Sequence, residues 1–117
     1  LKEISIEVVD QEVYDITSVI PEVSVEAPQS NAFTGDLNVY VVPTPWVLGY
    51  QVDYAPVGSE SWETAYFDVW YNYDFSTVGV RLEKLTIGQP YRIRVQGIGL
   101  LGDKTQVGEA TGTPRRY

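Results

Sequence analysis

The chain has 117 residues, 16 acidic against 8 basic side chains and a net charge of −8: one domain with room for its own core, and a poor match for nucleic acid or an anionic membrane. It contains no cysteine and no histidine, which excludes disulfides, thiolate metal sites and the commonest general base of enzymes. No apolar run reaches the length of a bilayer span, so membrane insertion is not expected either.

Hydrophobic alternation dominates the chain, punctuated by 7 prolines and 10 glycines, and no segment carries helical spacing. Ile4, Ile6 and Val8 alternate with polar residues as a short half-buried strand, and a weaker strand is predicted over residues 13–16. Pro21 breaks the chain. Val23 and Val25 then form a strand up to Pro28, and residues 29–36 read as a loop. Leu37, Val39 and Val41 are the inward side of the next strand, which stops at Pro43. Tyr50, Val52 and Tyr54 share one face of another, followed by a turn over residues 56–61. After an aromatic stretch, Val78, Val80 and Leu82 lead to a bend, and Tyr91, Ile93 and Val95 alternate with Arg92, Arg94 and Gln96. A glycine-flanked hairpin loop spans residues 99–105, and residues 107–113 close the sheet. Short, evenly spaced strands with turn signals between them predict an all-β sandwich of about seven antiparallel strands.

The bend is the most informative motif. Leu85, Gly88 and Tyr91 stand three residues apart, directly ahead of a period-two strand. Glycine lets the chain turn there, and the tyrosine can bury its ring while its hydroxyl returns to a nearby backbone group, forming a tyrosine corner.

With Gly49-Tyr50-Gln51-Val52-Asp53-Tyr54, Trp62 after the next turn, and Ala110-Thr111-Gly112-Thr113-Pro114 at the exit, residues 21–114 resemble a fibronectin type III module, an immunoglobulin-like sandwich. The pattern departs from the family at Val41, where a tryptophan is usual, and Trp46 in the following loop is the candidate to fill that space. It departs again at Ile87, where the family has a proline. Residues 21–117 are expected to form the sandwich. Residues 1–20 are read as an extra N-terminal strand or linker, or the tail of a preceding domain, and Leu1, not being an initiator methionine, suits a piece of a longer polypeptide. The resemblance implies a non-catalytic structural or interaction module of a multidomain protein, with adjoining domains or subunits as partners. Absence of cysteine and of glycosylation sequons fits a bacterial or phage setting, and a phage tail or tail-tip protein is the preferred host. The alternative is a carbohydrate- or protein-binding accessory module of a bacterial secreted or cell-surface protein. Virion and extracellular or cell-surface locations follow from these readings.

No phosphate loop, calcium loop or paired-histidine pattern is present, so no catalytic residue, metal or cofactor is expected. Two places suit partners. In the aromatic stretch, Phe67, Val69, Tyr71, Tyr73 and Phe75 share a core side if the chain is extended. Tyr66, Asp68, Trp70, Asn72 and Asp74 then face the other way, a surface suited to a protein receptor or a sugar ring, unless its rings pack on an edge strand or the N-terminal segment. Leu100 and Leu101 sit at the hairpin tip, where they either contact an adjoining domain or tuck back over the sandwich. The charge is also uneven: residues 1–77 carry thirteen acids and only Lys2, whereas residues 78–117 carry seven bases and three acids. Asp53 is therefore expected to pair across strands with Arg92 and Arg94. A basic docking stripe is the other reading of those arginines.

Overall fold

The computed structural model describes residues 15–30, 32–68 and 78–116. Their strands are β1 (Val23–Glu26), β2 (Gln29–Ser30), β3 (Thr34–Val41), β4 (Val47–Pro56), β5 (Glu63–Asp68), β6 (Val78–Thr86), β7 (Tyr91–Gly99), β8 (Gly108–Gly112) and β9 (Arg115–Arg116). Seven of them form two antiparallel sheets, ordered β1-β3-β6 and β5-β4-β7-β8, and their inward residues share one core. The predicted strands at Ile4, Ile6 and Val8, and over residues 13 and 14, lie outside the described residues.

Alternation decides which side chains enter that core. In β3, Leu37, Val39 and Val41 are fully buried while Asn38 and Tyr40 look outward. In β7, Tyr91, Ile93 and Val95 do the same between half-buried polar neighbours. Burial of such side chains, worth about 1.5–3 kcal/mol each, is what holds a cysteine-free sandwich together.

β6 breaks the rule of two. Leu37 faces Leu82 and Gly35 faces Leu85, so Glu83 and Lys84 both lie opposite Asp36. Lys84 takes a φ of 60° at this bulge, and the extra residue turns Leu82 and Leu85, three apart in sequence, to the same inward side. Arg81 anchors the place with a 2.8 Å ion pair to Asp36.

Between β6 and β7 the chain makes its corner. Gly88 has a φ of 84°, a conformation that favours glycine. Its N–H donates to the Pro114 carbonyl at 2.8 Å, tying the bend to the exit of β8. Just beyond Pro114, β9 runs parallel to β2, with Gln29 opposite Arg115, and the Arg115 guanidinium donates to the Ala27 carbonyl at 2.6 Å. Residues 29–36 are therefore not the expected loop. Residues 29 and 30 are a strand held by the far end of the chain, and β3 already begins at Thr34.

β8 is lined inwardly by small residues because β1 crosses it closely. A Cβ on Gly108 would meet the Pro21 carbonyl oxygen, and one on Gly112 would come within 2.6 Å of Val25. Ahead of β1, Ile16 is only 1% exposed and belongs to the core cluster. It sits at a turn rather than in the predicted weak strand, and the Val19 N–H donates to its carbonyl at 3.1 Å. Gln106 holds the segment by donating to Val19 and Thr17 carbonyls at 2.8 and 2.6 Å. Trp46 does not fill the space expected of it. It lies at the surface, 40% exposed, with a φ of 71°, and Val41 itself is sealed between Val23 and Val78.

Candidate functional site

Register places one end of the sandwich unambiguously. Val41 lies beside Val23 and Val78, and Val47 beside Gly99, so the β3–β4 loop, the β7–β8 hairpin and the entry into β1 meet there. At the hairpin tip the Gly99 N–H donates to the Asp103 carbonyl at 2.8 Å and the Gly102 N–H to the Gly99 carbonyl at 3.1 Å. Below it, the buried Thr105 hydroxyl accepts the Gly97 N–H at 2.8 Å and donates to the Gln106 carbonyl at 2.7 Å. These bonds brace the loop that carries the two leucines.

Both leucines are out in solvent: Leu100 is 61% exposed and Leu101 86%. Neither tucks back over the sandwich. Ile20, Val42, Trp46 and Leu48 are exposed at the same end. Ile20 precedes β1 while Val42, Trp46 and Leu48 lie in and just after the β3–β4 loop, and nothing local in the sequence marks them as one surface; the pairing register brings both stretches to the end that carries the leucines.

The outer face of the four-stranded sheet is the second surface. In β5, Phe67 turns inward and stacks on Tyr50, with ring centroids 5.3 Å apart and planes at 26°. Tyr66 turns outward opposite Gln51 and is 66% exposed. The predicted two-sided reading of the stretch thus describes Tyr66 and Phe67. Asp68 pairs with Gly49 through the backbone, and Trp70 and Asn72 lie outside the described residues.

Asp53 and Arg94 are register partners, as alternation predicts. Their expected ion pair is not made. Asp53 accepts the Thr64 hydroxyl at 2.7 Å and the Gln51 amide at 3.2 and 3.3 Å. Arg94 lies over the Trp62 ring instead, 5.1 Å from its centroid, with Arg92 over the same ring at 5.2 Å. Arg92 turns to β8, where Glu109 stands 3.8 Å away. A shallow groove lined by Arg92, Ile93, Glu109, Ala110 and Thr111 runs beside this pair. Arginines at alternate positions of one strand were visible in sequence, but that a single indole would gather both was not.

Among the described residues few groups are electrostatically perturbed. Burial pushes the Tyr50 phenol above its ordinary range, with Thr44 alongside opposing the shift, and its hydroxyl has no hydrogen bond of good geometry. Tyr54 is raised in the same direction, by burial first and by the negative charge of Glu63 second. Asp15 is lowered by the Thr17 hydroxyl and backbone N–H that it accepts. Among the described residues no group of three or more acids is placed to hold a metal ion.

Three strands packed on four, with the Tyr91 phenol oxygen of one sheet accepting the Thr86 N–H of the other at 2.9 Å, form an immunoglobulin-like sandwich of the fibronectin type III kind. Solved structures agree in fold. The chicken CNTN1 FN1–FN3 domains match with a TM-score of 0.65 at 16% identity, over 85% of this chain and 31% of that one, so this chain spans under a third of it. The third fibronectin III domain of the human KIAA0343 protein matches with a TM-score of 0.61 at 17% identity, over 89% and 87% of the two chains. A myokine structure matches with a TM-score of 0.57 at 17% identity, over 86% of this chain and 100% of that one. No family model matches the sequence, and no curated protein is matched by sequence.

Proposed function

We propose that this domain is a non-catalytic structural and interaction module of a larger multidomain protein, and that it docks its neighbour through the end carrying Leu100 and Leu101. The observation that carries the reading is the exposure of both leucines on a braced hairpin, at the end of the sandwich where Ile20, Val42, Trp46 and Leu48 are exposed too. Apolar side chains exposed together at one end of a domain are costly to leave in water, and a patch near the entry into β1 needs little intrinsic affinity, because a tethered domain is present at high effective concentration. The chicken CNTN1 structure, whose name covers FN1 to FN3, offers a parallel in which such domains follow one another. The non-catalytic reading rests on a sequence without histidine or cysteine.

The setting we favour is a phage tail or tail-tip protein, supported by the lack of cysteine and of glycosylation sequons. An accessory role on a bacterial secreted or cell-surface protein, with Tyr66 meeting a glycan or protein receptor, is the second reading, favoured by that ring's exposure. Replacing Leu100 and Leu101 with serine in the parent polypeptide tests the docking. The neighbouring domains should then tumble independently and the linker should become protease-sensitive, with the melting of this domain unchanged. Unaltered tumbling and cleavage would refute it.

A further inference from the structure

The geometry points to a second binding surface, on the sheet face rather than the loop end: Arg92 and Arg94, splayed on the Trp62 ring, take carboxylates from an acidic segment of a partner protein. Three observations carry this. First, the guanidinium carbons of both arginines lie over one ring, 5.2 and 5.1 Å from its centroid. A cation–π contact of this kind uses the charge of an arginine over the ring without using up its N–H groups, which can still reach a bidentate carboxylate. Second, those donors are unused. Among the described residues neither guanidinium makes a hydrogen bond, and the contact of Arg92 with Glu109, at 3.8 Å between two well-exposed side chains, exceeds hydrogen-bond length. Third, the acid that register places beside Arg94 is engaged elsewhere, since Asp53 accepts from Thr64 and Gln51 and makes no ion pair with Arg94.

Spacing and charge narrow the ligand. Alternate residues of a strand stand about 7 Å apart, so an extended peptide with acids at alternate positions can present one carboxylate to each arginine. The groove along Arg92, Glu109, Ala110 and Thr111 gives such a peptide a bed, with Glu109 displaced by the incoming acid. A dense polyanion would instead meet the repulsion of a chain with net charge −8. A short acidic stretch of protein, carrying two or three charges, fits better.

The test uses the 117-residue chain and an acetylated, amidated peptide of alternating glutamate and serine, followed by NMR of the indole N–H groups and arginine side chains. Saturable shifts at Trp62 and Arg94 that weaken with salt are expected. Arg94→Gln should lower affinity about tenfold, equivalent to one charge-assisted hydrogen bond. Arg94→Lys, which keeps the charge and most of the stem but loses the fork, should also weaken binding while leaving the fold intact. Arg81→Gln, on the other sheet, should not alter it. The inference is overturned if the wild-type chain shows no saturable shift, if both Arg94 variants bind as wild type does, or if a heparin fragment binds the arginines more tightly than the peptide.

Discussion

The backbone N–H of Thr86 donates to the phenol oxygen of Tyr91 at 2.9 Å. Thr86 ends β6 in the three-stranded sheet and Tyr91 begins β7 in the four-stranded one, so a single side chain clasps the two layers at their corner. Tyr91→Phe keeps the buried ring and removes only the acceptor. It should lower unfolding free energy by about 1 kcal/mol in urea titration, with the fold retained. An unchanged midpoint would mean that the clasp contributes nothing to stability.

Tyr50 presents the opposite case, a buried hydroxyl without a good partner beneath the stacked ring of Phe67. Tyr50→Phe should be neutral or stabilising by up to about 1 kcal/mol at neutral pH. The raised phenol pKa gives a second signature. Above the ordinary phenol value of 10.0 the unfolded chain releases its proton while the folded one retains it. The stability linked to this group is therefore whole below that pH and is lost as pH rises toward the folded value. Alkaline unfolding should be shallower in Tyr50→Phe than in wild type, leaving the contribution of Tyr54, which is shifted the same way. Superimposable alkaline curves would contradict the account.

Ile16 lies ahead of the first strand yet is as buried as the centre of β4. Ile16→Ala should cost about 2–5 kcal/mol, the range for truncating a fully buried aliphatic side chain. A loss below half a kilocalorie, measured by chemical denaturation, would show that this segment is an appendage.

What the sequence made legible was what is decided locally. Gly88 and Tyr91 announce the corner by their spacing, and alternation alone sorts Leu37, Val39 and Val41 inward and Tyr66 away from Phe67. What escaped depends on partners far along the chain. β2 exists because Arg115 and Arg116 return to it, so residues 29 and 30 carry no strand signal of their own. Lys84 hides a bulge that only the pairing of Leu82 and Leu85 reveals. The expected Asp53–Arg94 pair fails because Thr64 and Trp62, on the neighbouring strand and the turn before it, offer each group a better partner. Ile20, the β3–β4 residues Val42, Trp46 and Leu48, and the hairpin leucines come to one end only when three separate segments meet.

The docking reading turns on whether the leucine tip is covered in the protein's natural setting. Methyl resonances of Leu100 and Leu101 in the 117-residue chain should be compared with those in the parent polypeptide. Shifted resonances, protected from a soluble paramagnetic probe in the longer protein, are the predicted result. Identical shifts with equal probe broadening in both would contradict it.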